Sequence, residues 1–113
     1  MHEMALCESV LAAIEDSARV NRFTRVRRVR LEIGSFAGVE VSALRFGFDV
    51  VSRGTLCDGA ELVVLEPPGK AWCFDCSSTV DLLARIDPCP QCGGHRLQPV
   101  SGDQMTIKDL EVE

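Results

Sequence analysis

Two pairs of cysteines set the tightest limit on how this chain folds. They read Cys73-Phe74-Asp75-Cys76 and Cys89-Pro90-Gln91-Cys92, with twelve residues between the pairs. A C-x2-C turn presents two thiolates to one ion from a single tight knuckle. Two such knuckles close together complete a tetrahedron of sulfur, the geometry Zn²⁺ adopts in closed structural sites. Gly93 and Gly94 follow the second pair, where a knuckle needs unusual backbone angles. The stretch from 70 to about 103 also holds Pro88, Pro90 and Pro99, and its large apolar residues are few: Trp72, Val80, Leu82, Leu83, Ile86 and Leu97. These can cover one small cluster, too little for independent stability without a cross-link. Metal binding is therefore expected to drive folding of this module. With Cys73, Cys76, Cys89 and Cys92 all acting as ligands, no position stays open for water or substrate, so the zinc is expected to be structural and not catalytic. Iron fits the same sulfur cage, and a lone C-x-x-C can serve as a redox pair. Two adjacent pairs favour structural zinc over either.

The rest of the sequence reads as one small α+β domain. Met4, Cys7, Leu11, Ile14 and Ala18 recur at spacings of three and four, one face of an amphipathic helix running to about Arg19. From Thr24 to Ile33, Val29, Leu31 and Ile33 alternate with Arg28, Arg30 and Glu32, a strand with one buried and one wet face. The segment from Gly34 to Gly38 breaks that strand. Val41, Leu44, Phe48 and Val51 mark a second helix, with Gly54 suited to a left-handed residue just past its end. Ala60 to Leu65 reads as a buried strand, and Pro67, Pro68 and Gly69 as a linker. The tail, Met105 to Val112, looks like a third strand, and two strands need another partner. The expected fold is a three-stranded antiparallel sheet with two helices on one face, plus an inserted zinc-ribbon-like module. Residues 1–69, completed by a strand within 104–113, form the first domain, and residues 70–103 form the zinc-binding domain.

Charge and cysteine usage narrow the function classes. The opening MHEMALCESVLAAIED lacks a basic lead and carries four acids, so no secretory signal is expected. No apolar run of about 18 residues exists to span a membrane. A cytoplasmic setting follows, in which six cysteines point to thiols and metal and not to disulfides. Cys7 falls on the apolar helix face and reads as a small core residue, and Cys57 is likewise read as structural. Net charge is −5, yet Arg19, Arg22, Arg25, Arg27, Arg28 and Arg30 crowd into one span. A basic span can attract phosphate or an acidic partner. It lacks the interleaved aromatic residues that stack bases, so the solvated strand face is favoured over a nucleic-acid-binding zinc ribbon. His95, after the second knuckle, reads as a surface side chain with four cysteines already available.

The chain starts Met1-His2-Glu3. The amine of Met1 and the backbone nitrogen of His2 can chelate a metal in a five-membered ring. The same backbone nitrogen and the imidazole Nδ1 close a six-membered ring. Three nitrogens then lie in one plane, leaving a planar position for the Glu3 backbone nitrogen or another group. Ni²⁺ and Cu²⁺ accept such square-planar sites, whereas Zn²⁺ does not prefer them. Binding needs deprotonated ligands, so affinity should fall as pH drops through the titration range of histidine. An acetyl group or an extension would remove the amine.

Taken together these segments resemble the HypA/HybF family of hydrogenase-maturation nickel chaperones. The resemblance is carried by the M-H-E start followed by ALCESVLAAIE, by VRLEIGSFAGVE leading into a helix with LRFGFDVV, and by the two C-x2-C knuckles followed by GDQMTIKDLEVE. It implies nickel at His2 with Glu3 adjacent, structural zinc at Cys73, Cys76, Cys89 and Cys92, delivery of nickel to the large subunit of a nickel–iron hydrogenase, and the GTPase HypB as partner. A weak homodimer is compatible with it. Some family members carry a longer insert with an added histidine ligand between the cysteine pairs. Here the gap lacks histidine, so no such ligand is expected. The chain has only two histidines, no Gly-rich phosphate loop and no nucleophile with a matching base, so a metallochaperone is expected and not an enzyme.

Overall fold

A computed structural model of the chain describes residues 3–113. Helix α1 runs from Glu3 to Asn21 and buries Cys7, Val10 and Ile14. Glu3 in the first turn and Arg19 in the last suit the helix dipole. The helix stops where Arg22 turns left-handed (φ 59°) and its N–H bonds Ala18 O at 2.8 Å. Strand β1 (Val26–Ile33) buries Val26, Val29, Leu31 and Ile33. The alternation expected from the sequence, Val29, Leu31 and Ile33 against Arg28, Arg30 and Glu32, is present, and only Arg27, exposed next to Arg28, breaks it toward the start of the strand.

After a 3-10 turn at Ser35–Ala37 comes helix α2 (Val41–Ser52). Its cap is Glu40, whose carboxylate accepts hydrogen bonds from Ser42 N at 3.4 Å and Ser42 Oγ at 2.7 Å. Its buried residues are Leu44, Gly47, Phe48 and Ser52. Gly54 takes the expected left-handed conformation just beyond, at φ 75°. A Cβ on Gly47 would lie 3.1 Å from Cys7 Sγ, so this glycine lets α1 and α2 approach closely. The Cys7 thiol donates to Leu44 O at 3.3 Å across the same contact. The buried face of α1 is thus Cys7–Val10–Ile14, with Met4, Leu11 and Ala18 only partly covered.

Strand β2 is Glu61–Leu65, and the tail forms β6 (Met105–Val112), so the return of the tail to the first sheet is found as expected. The order is β2-β1-β6. Strand β6 runs antiparallel to β1, since Thr24 N bonds Glu113 O near one end and Gly34 N bonds Gln104 O near the other. Residues 1–31, 39–64 and 107–113 form one compact unit. Its buried core holds Cys7, Val10, Ile14, Val26, Val29, Leu31, Leu44, Phe48, Cys57 and Leu62.

The second unit comprises residues 32–38 and 65–106. Strands β3 (Gly69–Cys73), β4 (Ser78–Leu82) and β5 (Leu97–Ser101) form its sheet in the order β4-β3-β5. Both pairings are antiparallel, from Gly69↔Leu82 to Cys73↔Ser78 and from Lys70↔Ser101 to Cys73↔Leu97. The buried cluster is Phe36, Ala71, Cys73, Val80, Leu82 and Cys89, with Cys76 and Leu97 packed against it. Val80, Leu82 and Leu97 are where the sequence reading puts them. Trp72, Leu83 and Ile86 are not: they face outward, Leu83 and Ile86 at 72% and 87% exposure. Trp72 alternates with buried Ala71 and Cys73 on β3 and so points to the opposite face. The volume is filled instead by Phe36, whose ring would collide at 2.3 Å with any Cβ on Gly69.

Candidate metal centre

The four knuckle cysteines converge. The first pair closes the β3–β4 hairpin, with Cys73 ending β3 and facing Ser78 across the turn. Ser77 supplies the left-handed residue there (φ 52°), in place of a glycine. The second pair lies just before β5, where Cys89 N bonds Gly94 O and Gly93 N bonds Cys89 O, each at 2.8 Å. Gly93 has φ 73°, as the sequence around that turn requires. In each knuckle, backbone N–H groups aim at sulfur: Cys76 N at Cys73 Sγ, Gln91 N at Cys89 Sγ and Gly94 N at Cys92 Sγ, all at 3.4 Å. Such bonds favour the thiolate form.

All four sulfurs lie within 4.8 Å of one another. Cys73 and Cys92 are 3.7 Å apart, and Cys76 and Cys89 are 3.8 Å apart. A zinc–sulfur bond of about 2.3 Å in a regular tetrahedron requires sulfurs about 3.8 Å apart, so the cage fits that ion. Cys73 and Cys89 are buried, Cys76 is half-buried and Cys92 is exposed. Without a cation Cys76 and Cys89 do not ionise alike. The backbone N–H of Cys92 draws the Cys89 thiol down to about 7, whereas the hydrogen bond with Cys92 and burial push Cys76 up. A divalent cation removes the conflict by neutralising thiolate charge.

Two side chains near the cage escaped the sequence reading. Asp75, inside the first knuckle, pairs with Arg96 at 2.9 Å, and Phe74 N bonds Arg96 O at 2.9 Å. No spacing signal marks a surface pair 21 residues apart. Cys7 and Cys57 stand outside the cluster, both buried, and His95 is exposed. Burial raises the Cys7 thiol, and burial followed by the charge of Glu15 pushes Cys57 up to about 11.

Of the nickel candidates, Met1 and His2 lie outside the described residues, and Glu3 is the first residue of α1, half-buried. The arginine span carries its own counter-charges. Arg28 bridges Glu61 on β2 and Glu111 on β6 at 2.7 and 3.3 Å, Arg30 meets Asp109 at 3.4 Å, and Arg27 bonds Glu113 through Nε at 2.6 Å. Arg19 pairs with Asp16 along the helix, and Arg25 donates to Asp58 O at 2.8 Å. Arg19, Arg27, Arg28 and Arg30 therefore read as self-neutralised and solvated, while Arg25 meets only a backbone carbonyl. Among the described residues, no helix is long and apolar enough to cross a membrane.

Residues 1–112 match the family model described as hydrogenase/urease nickel incorporation, metallochaperone, hypA. The chain is 67% identical to the hydrogenase maturation factor HypA of Azorhizobium caulinodans and 64% identical to that of Beijerinckia indica, each over 112 residues and 99% of both chains. Among solved structures it is similar to the solution structure of the Ni metallochaperone HypA from Helicobacter pylori, with a TM-score of 0.70 and 25% identity, over 99% of this chain and 97% of that one. A four-sulfur cage set in a small sheet, a separate α+β unit and full-length similarity of this kind lead to one conclusion: this chain belongs to the HypA family of hydrogenase maturation factors and nickel metallochaperones.

Proposed function

We propose that this chain captures Ni²⁺ at its amino-terminal end and helps insert it into the large subunit of a nickel–iron hydrogenase. The observation that carries the reading is family membership across residues 1–112. The relatives named for hydrogenase maturation favour hydrogenase over urease as the recipient. Nickel is cargo here, held by the His2 imidazole, the backbone nitrogens of His2 and Glu3, and the Met1 amine where it is unblocked. The place of Glu3 in the first turn of α1 suits this role. Backbone N–H groups in the first turn have no acceptor within the helix, so a metal can take the Glu3 nitrogen without breaking a helical bond. Few protein-supplied ligands also favour release over retention.

In this reading Cys73, Cys76, Cys89 and Cys92 hold a structural zinc, supported by the cage dimensions. Its role is to complete the core of the second unit, which joins the zinc-binding stretch 70–103 to the 32–38 segment carrying Phe36, while the nickel-binding domain is built on the first unit, 1–31, 39–64 and 107–113. The protein acts in the cytoplasm, carries out no catalysis itself and works with a HypB-type GTPase. The deciding experiment is calorimetric nickel titration of untagged protein beside His2→Ala. The tight site is expected to vanish in the variant. Equal affinity in both would refute the nickel site.

A further inference from the structure

The geometry points to Arg96 as the residue that screens Asp75 from Cys92 and thereby governs how readily that thiolate leaves the metal. The inference rests on the reading of the four-cysteine cluster as a zinc site. Cys92 is the one exposed residue of the four, whereas Cys73 and Cys89 are buried and Cys76 is half-buried. It is therefore the ligand a competing chelator or electrophile reaches first.

A carboxylate stands close by. A Cβ placed on Gly94 would lie 2.8 Å from Asp75 Oδ2 and 3.3 Å from Cys92 Sγ, so the carboxylate oxygen is within about 6 Å of the sulfur. A like charge at that range repels a metal-bound thiolate, whose cage of four sulfurs already carries excess negative charge around a divalent ion. Arg96 answers the charge. Its Nη1 is 2.9 Å from Asp75 Oδ1, while its carbonyl accepts from Phe74 N at 2.9 Å. Asp75 and Phe74 both lie between Cys73 and Cys76, and Arg96 lies just past Cys92. One residue thus ties the first knuckle to the second through main chain and side chain together. Gly94 has no side chain to intrude where the carboxylate sits. Arg96 is a positioning and screening residue, since its contacts are to Asp75 and Phe74 and not to sulfur.

The test follows zinc transfer from the loaded full-length chain to excess 4-(2-pyridylazo)resorcinol, with zinc per chain measured first. Arg96→Ala keeps the backbone carbonyl but exposes the Asp75 charge. It is expected to speed release about three- to fivefold at low salt and less at 1 M salt, the size appropriate to a solvent-exposed pair. Asp75→Asn should release no faster than the parent. The double variant, Asp75→Asn with Arg96→Ala, should return close to the parental rate, because no carboxylate then remains to repel the thiolate. A double variant as fast as Arg96→Ala, or an Arg96→Ala rate equal to the parent, overturns the inference while leaving the zinc site standing. A chain that folds with no stoichiometric metal overturns the zinc reading and this inference together.

Discussion

Cys57 shows how a single buried group can set the alkaline limit of the protein. Its side chain is 1% exposed and lies apart from the metal cage. Burial, reinforced by the charge of Glu15, raises its thiol from 9.0 to about 11. The folded state therefore holds this proton more tightly than the unfolded chain does. The stability it contributes is complete below about pH 9 and is lost as pH climbs toward about 11, at most about 2–3 kcal/mol. Urea unfolding at pH 8 and pH 10.5 should show a falling midpoint, and Cys57→Ala should fall less steeply. Identical slopes would assign the alkaline loss to other groups. Arg28 is a contrasting case. Its two carboxylate partners lie on the strands either side of its own, but the arrangement is solvent-exposed, so it contributes little and screens with salt.

Among the elements, periodicity revealed more of the chain than composition did. Helices α1 and α2 and strand β1 were legible because each buries one face and repeats at 3.6 or 2 residues, whereas β2 was legible as an apolar run ended by Pro67 and Pro68, only Leu62 of it being buried, and β6 as the further strand that the first sheet needed. The cage ligands were legible because their spacing is local. The sheet of the second unit was less so. Strand β3 alternates in burial, but its inward residues Gly69 and Ala71 are small, and Trp72 suggested burial by its size while the pleat turned it outward. Asp75 and Arg96 left no local mark. The segment after β1 read only as a strand breaker, yet it anchors the second unit. Ser35 N bonds Pro67 O at 3.0 Å, Phe36 N bonds Gly102 O at 2.8 Å, and Ser35 Oγ receives Gly69 N at 2.9 Å. Glycines make this crossing possible, since a Cβ on Gly34 would lie 2.0 Å from Gly102 O. Gly34→Ala should therefore cost more than Gly38→Ala, where only a left-handed φ of 69° is at stake and the space is open. The expected penalties are about 3 kcal/mol or more against about 1 kcal/mol. Thermal unfolding followed by Trp72 fluorescence checks the order, and equal shifts would contradict it.

Across the whole molecule the two units differ in what holds them together. The core of the first contains no cage ligand, whereas Cys73 and Cys89 are two of the six buried residues in the core of the second. Stripping the metal with a strong chelator should unfold the second unit and spare the first. Trp72, the one tryptophan of the chain, lies on β3 next to Cys73, so its emission should report the loss directly. The helical circular dichroism of α1 and α2 should persist, and protease cleavage should concentrate between 65 and 106. Simultaneous loss of both signals would show instead that the units melt as one.

The position of Phe36 carries a consequence for anyone wishing to move the metal module into another scaffold. The aromatic ring that fills its interior is encoded some thirty residues upstream of the linker, on the far side of an entire helix. A fragment cut along the sequence from 70 to 103 would carry every sulfur and still be hollow. The natural unit of transplantation here is discontinuous, so a portable version must bring its own plug for the hole.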